Sequence, residues 1–216
     1  MFILVSVTAL YALLIIYSFN LLPYKWLCDY NTDMRYCPKQ RHLSITSCFV
    51  PIFLYTSSIV FFLLRIPQST LEVATTLVMI LLLSHISLSD ILYMIIPDQH
   101  VLLIFFISLL DLTKENLSFK LLGLLAGALP FVVLLIAGIL LRNKECIGFG
   151  DIKLMSVLGF LLGYANILNL YIISCLLSGT FLMILTIKNT LIKQNSKSNF
   201  VPFAPFISFS YIFCII

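Results

Sequence analysis

Eight times along its 216 residues the chain runs apolar over a length close to that of a lipid bilayer, and this repetition constrains the fold more than any motif. The hydrocarbon core is about 30 Å thick, so a spanning helix needs roughly 17 to 25 mostly apolar residues. The runs cover approximately 2–22, 48–66, 70–90, 98–112, 119–141, 150–164, 166–187 and 200–216, with polar connections between most of them. A soluble globule is excluded: 61% of the residues are hydrophobic and 10% charged, where soluble domains carry about 25% charge. The expected fold class is an all-α polytopic membrane protein of about eight transmembrane helices. It forms a single integral membrane domain over 1–216, with a short loop at about 23–47. No internal repeat is visible. The first run lacks a basic leader segment and a small-residue cleavage site, so it is expected to be retained.

The formal charge of +4 is too small and too scattered to indicate nucleic acid as a partner. It reads as membrane topology. With the N-terminus outside, Lys25, Arg35, Lys39, Arg41, Arg142, Lys144, Lys153, Lys188, Lys193 and Lys197 fall inside, and Arg65, Lys114 and Lys120 fall outside. Basic residues are retained on the cytoplasmic side, so this asymmetry sets the expected orientation. The fourth run is short. Only thirteen residues from His100 to Leu112 suit lipid, with Asp111 at the far end. It is either a short span tolerated by local thinning or a re-entrant hairpin, which would move everything after it to the other side.

Against this background two carboxylates stand out. Asp90 closes the third run and Asp151 opens the sixth, both expected at or slightly inside the membrane boundary. An ionisable group near a helix centre costs about 2.5–3.5 kcal/mol on insertion scales and less toward the interface, so it commonly marks a function. The plain alternative is a helix-end acid reaching for water. Around Asp151 the sequence reads Glu145-Cys146-Ile147-Gly148-Phe149-Gly150-Asp151-Ile152-Lys153-Leu154. Gly148 and Gly150 allow unusual dihedrals and close backbone approach, and a first-turn acid sits where the helix dipole favours its ionised form. After Asp90, Pro97 forces Ile96 out of helical geometry, so the third helix must end before it. Asp98 reads as the N-cap of the next helix.

Two carboxylates from separate helices on one membrane face are the minimum equipment for aspartyl peptide hydrolysis. Held close in a poorly solvated site they cannot both ionise, so the pair keeps one proton. Asp151 is expected to be the charged partner and Asp90 the protonated one. The chemistry needs no metal and no covalent nucleophile.

These residues resemble the type IV prepilin peptidases, membrane aspartyl proteases that carry a GxGD signature. The first matching stretch is Asp90 followed by Pro97 and Asp98, and the second is Glu145, Gly148, Gly150, Asp151, Lys153 and Leu154. A third is Val201-Pro202-Phe203-Ala204-Pro205-Phe206, with Ala204 where the family has glycine. The resemblance implies a GxGD architecture in a bacterial inner (cytoplasmic) membrane. Asp90 and Asp151 would be catalytic on the cytoplasmic side, with Gly148, Gly150, Lys153, Pro97, Asp98 and Glu145 as supporting motif residues. The implied substrates are prepilins or pseudopilins of a pilus, secretion or DNA-uptake system, cut after a Gly. No cofactor is implied for proteolysis, and S-adenosylmethionine only if N-methylation of the new terminus is retained.

The remaining polar residues fit ordinary roles. Cys28, Cys37, His42 and Cys48 are too irregularly spaced to favour tetrahedral zinc over plain loop residues, so no metal is expected. His85 lies five residues before Asp90, about 140° around the helix, and reads as a buried neutral histidine. His100 is not distinguished from a wetted loop histidine. Lys153 reads as a cytoplasmic anchor or as a partner for acidic groups of a leader. Gly123 with Gly127, and Gly159 with Gly163, read as helix-packing steps. A proton-coupled transporter or channel is the rival function, and it predicts acids nearer the bilayer centre and repeated halves. A structural membrane scaffold leaves both acids unexplained.

Overall fold

A computed structural model of the chain describes residues 2–27, 43, 48–50, 52–57, 70–110, 117–142, 147–191 and 201–215. Among them are six α-helices: α1 (Phe2–Asn20), α2 (Thr70–Tyr93), α3 (Asp98–Leu110), α4 (Leu117–Arg142), α5 (Phe149–Leu191) and α6 (Ala204–Ile215). A 3₁₀ turn at Tyr24–Leu27 follows α1, and residues 48–50 and 52–57 are helical. Three of these helices are long and apolar enough to cross a bilayer, at Leu71–Tyr93, Leu117–Leu141 and Phe149–Thr190. Their outward faces are apolar too: Leu140, Leu141, Leu176 and Met183 are all exposed. The chain is a helical membrane protein. It divides into two compact units, Met1–Pro97 and Asp98–Ile215.

In the first unit α1 and α2 run in the same direction. Tyr11 donates to the carbonyl of Leu77, and Ser18 meets His85 Nε2 at 3.0 Å, which is nearly the same offset in sequence. Two parallel neighbours need an intervening return of the chain, and the helical residues 52–57 lie in that stretch. Ile52 packs into the same apolar cluster as Ala12, Ile15, Ile16 and Phe19. His85 is buried as expected. Its Nε2 also lies 3.3 Å from the carbonyl of Ile15, and its ring meets Phe19 edge-on at 5.9 Å. Asn20, the last residue of α1, holds Leu43 by both backbone groups, at 3.2 and 2.9 Å.

The second unit is built on glycine. A β-carbon on Gly123 would strike the backbone of Gly159 and Gly163, one on Gly127 the backbone of Met155, and one on Gly159 the backbone of Gly123. The expected packing steps therefore bring α4 and the start of α5 into backbone contact, in antiparallel register. Further along α5, Tyr164 meets Phe119 at 4.9 Å and Tyr171 meets Phe131 at 5.2 Å, a register parallel to α4. Tyr171 also donates to the Gly127 carbonyl. Residues 155 and 171 would be about 24 Å apart on a straight helix, yet both touch Gly127. Helix α5 therefore folds back on itself. The reversal is at Gly163, with φ 76° and ψ 172°, a region essentially closed to other residues. The two runs expected at 150–164 and 166–187 are the two arms of this hairpin.

Helix α3 is a single helix lying parallel to the first arm of α5, with Asp98 at Lys153 and Phe105 at 5.3 Å from Phe160. Over 98–110 the fourth run is one unbroken helix without a reversal. Lys120, counted above as an outside charge, is 1% exposed. Its ammonium donates to the carbonyl of Ser108 at 3.3 Å and lies 5.9 Å from the Phe160 ring centroid. The last turn of α3 offers orphan carbonyls and the negative end of a dipole, which is what a cation from the next helix can satisfy. The last run is helical only from Ala204: residues 201–203 are non-helical and include Pro202, while Pro205 falls in the first turn of α6, where its missing N–H is tolerated.

Replacing Gly123 with Val should lower the stability of the second unit by about 1–3 kcal/mol or more, since no side chain can move aside from a backbone clash. Gly179 has open space around it, so Gly179→Ala should leave stability unchanged or slightly raised. Thermal unfolding of the detergent-solubilised protein separates the two.

Candidate active site

Asp90 belongs to the first unit and is 7% exposed in the last turn of α2. That turn is closed by a specific backbone device. Met94, just past the helix, has a positive φ of 56°, and its N–H donates to the Asp90 carbonyl at 2.9 Å. A left-handed residue at this point is how many helices stop, but it is normally Gly or Asn rather than Met. Ser89, fully buried, donates its hydroxyl to the Ile95 carbonyl at 2.7 Å and fixes the exit strand. Pro97 follows, buried, and α3 begins at once with Asp98. The helix end required by Pro97 thus falls at Tyr93, with the expected acid three residues before it. By the offset of the α1 and α2 contacts, Asp90 lies near the level of the α1 C-terminus, where the 3₁₀ turn with Lys25 follows.

Asp151 belongs to the second unit and is half-buried in the first turn of α5. Gly148 occupies the cap position. Its carbonyl accepts the Asp151 N–H at 3.1 Å, and a β-carbon on Gly148 would lie 3.3 Å from Asp151 Oδ2. The carboxylate therefore leans back over Gly148, toward the positive end of the helix, and the missing side chain leaves room for it. Gly150 is half-buried in the same turn.

Asp151 starts its helix partway along its neighbour α4. The α4 contacts pair 123 with 159 and 127 with 155, which places Asp151 about level with Phe131. That is about eleven residues, or roughly 16 Å, short of the end of α4. The cause is the early reversal at Gly163, which leaves the first arm of α5 much shorter than α4. Asp98, bound to Lys153, starts α3 at the same level. Phe203, 5.7 Å from Phe131, starts α6 there too, its carbonyl accepting the N–H groups of Phe206 and Ile207 at 3.0 and 3.3 Å. Three helices of the second unit begin at mid-height on α4, each entered through non-helical backbone.

Lys153 and Asp98 are brought together in a way the sequence did not announce. The Lys153 ammonium donates to both Asp98 oxygens, at 2.8 and 3.0 Å, and lies 5.0 Å from the Phe149 ring centroid. Asp98 opens its helix as expected, but its carboxylate serves this bridge. His100, read as a wetted loop residue, is instead 2% exposed in the first turn of α3. Glu145, Cys28, Cys37 and His42 lie outside the described residues, so the structure places none of them in a site. Cys48 carries a free thiol in the first unit.

Residues 77–184 match the model of the type IV leader peptidase family. The chain belongs to that family. The matched segment contains Asp90, Pro97, Asp98, Gly148, Gly150, Asp151 and Lys153, and stops short of the stretch at 201–206. The chain is also 30% identical, over 141 residues, to a prepilin leader peptidase/N-methyltransferase of Bacillus subtilis (strain 168), covering 64% of this chain and 54% of that protein. It thus spans about half the length of that relative. No solved structure matches it.

If the left-handed Met94 is strained, Met94→Gly should raise the melting temperature in detergent. A β-branched residue tolerates positive φ worst, so Met94→Val should lower it, by about 1–2 kcal/mol of stability.

Proposed function

We propose that this protein is a membrane-embedded aspartyl endopeptidase that removes the leader of type IV prepilins or pseudopilins, with Asp90 and Asp151 as its catalytic pair. The observation that carries the proposal is that one family-matched segment holds both acids, and each is fixed at a helix end by its own backbone device. In each unit the acid faces the end toward which basic residues leave, Lys25 in the first and Arg142 in the second. This supports a cytoplasmic site in a bacterial inner membrane, in a single eight-span domain with the N-terminus outside.

The reaction needs one proton shared between two carboxyl groups. The charged carboxylate takes a proton from water while the water oxygen bonds to the scissile carbonyl carbon. The neutral carboxyl gives its proton to the carbonyl oxygen. On collapse a hydroxyl of the tetrahedral intermediate returns a proton to that second carboxylate, the C–N bond breaks, and the departing amine takes the proton held by the first. The pair ends as it began. No cofactor enters this cycle. S-adenosylmethionine would be required only for methyl transfer, which the printed name of the Bacillus relative includes.

A transporter reading gains only from the recessed level of Asp151, and the family match gives it no support. Co-expression with a prepilin, at matched protein levels, separates them. Asp90→Asn and Asp151→Asn should each reduce leader removal by on the order of 10²–10⁴-fold, and kcat/KM of the wild type should be bell-shaped in pH. Unchanged cleavage in either variant would falsify the assignment.

A further inference from the structure

The second unit contains one side-chain bridge that neither acid chemistry nor apolar packing accounts for. Lys153 sits two residues beyond Asp151, and its ammonium is held from two sides, by both oxygens of Asp98 and by the face of Phe149. The two charged side chains are 37% and 38% exposed. A pair that open to solvent adds little to stability, so holding the fold together is a poor account of its bidentate geometry.

Orientation is a better one. Successive helical residues are turned by 100°, so side chains two apart point about 200° from each other. When Lys153 is drawn onto α3, Asp151 is turned to the far side of α5. The two helices are attached at two points with the same register, Asp98 to Lys153 and Phe105 to Phe160, each fifty-five residues apart in sequence. The aromatic contact fixes the end of the arm near the Gly163 reversal and the ion pair fixes its first turn. That turn needs fixing, because the first N–H groups of a helix have no intrahelical acceptors. Asp98 is also the first residue after Pro97, where the chain leaves the segment that carries Asp90.

We propose that Asp98 and Lys153 are positioning residues, a clamp that sets the rotation of the first turn of α5 and so the direction of the Asp151 carboxylate. The inference rests on Asp151 being catalytic. A clamp acts through geometry rather than through contact with the peptide, so its loss should lower turnover and leave substrate affinity nearly alone.

The test uses the full chain, purified in detergent, cleaving a peptide with a basic leader, a Gly at the cut and an apolar continuation. Asp98→Asn and Lys153→Gln should each lower kcat by about 10- to 100-fold, with KM changed less than about threefold. The double variant should fall no more than about threefold below the worse single one, because one clamp can be broken only once. Lys153→Arg, which keeps the charge and can meet both Asp98 oxygens with its guanidinium fork, should recover kcat to within about fivefold of wild type. The clamp is refuted by multiplicative losses in the double variant, by a loss carried in KM, by single variants that turn over normally, or by activity that falls only in proportion to folded protein. Asp90→Asn and Asp151→Asn run alongside. If they still cleave, the catalytic assignment fails; if they are dead while the clamp variants work normally, only the clamp fails.

Discussion

Everything in the second unit hangs on the direct backbone contact between α4 and the first arm of α5. Inside a bilayer there is no hydrophobic gain from burying one apolar helix against another, so association relies on close packing. Gly123, Gly127 and Gly159 supply that closeness by removing every side chain from the seam. Gly163 then turns the chain back, and Tyr171 closes the hairpin onto the Gly127 carbonyl. The same four glycines that make the contact also determine where α5 starts, because an arm that reverses at 163 cannot reach as far as α4 does.

The consequence for chemistry is that Asp151 begins a helix well short of the end of its neighbour. Non-helical backbone at membrane depth is tolerated only where protein or water can satisfy it. Three such entries meet one level of α4, before Asp98, Phe149 and Ala204, and each delivers the positive end of a helix there. The arrangement gathers polar backbone and a carboxylate at one level of an otherwise apolar helical wall. The first unit solves the corresponding problem differently. Its acid lies at the finish of a helix, where the Met94 turn and the buried Ser89 hydroxyl stop the chain before it can run past.

How much of this could be read from the sequence depended on whether the signal was local. Pro97 reported the end of α2 because the restriction on the preceding residue acts over one peptide bond. Gly148 and Asp151 reported a helix start for the same reason, and the glycine steps in α4 and α5 declared their packing role through spacing alone. The burial of Lys120 and His100 was not legible because burial is a property of neighbours. The acceptor for Lys120 is a carbonyl in the preceding helix. The level of Asp151 along α4 was out of reach as well, since it follows from the register between two helices rather than from the length of either.

The bridge between Asp98 and Lys153 shows where local reading stops. Each residue had a sufficient explanation by itself, the acid as a helix cap and the base as an anchor on the charged side of the membrane. Their separation of fifty-five residues carries no periodic mark that would join them. Only the parallel packing of α3 on the first arm of α5 makes them neighbours. A motif that looks like two independent signatures, Pro-Asp after one acid and Asp-x-Lys at the other, is in the folded chain a single contact. The glycine seam fixes α5 against α4, and Phe105 on Phe160 fixes α3 against α5. The ion pair adds a contact at the first turn itself, two residues from Asp151.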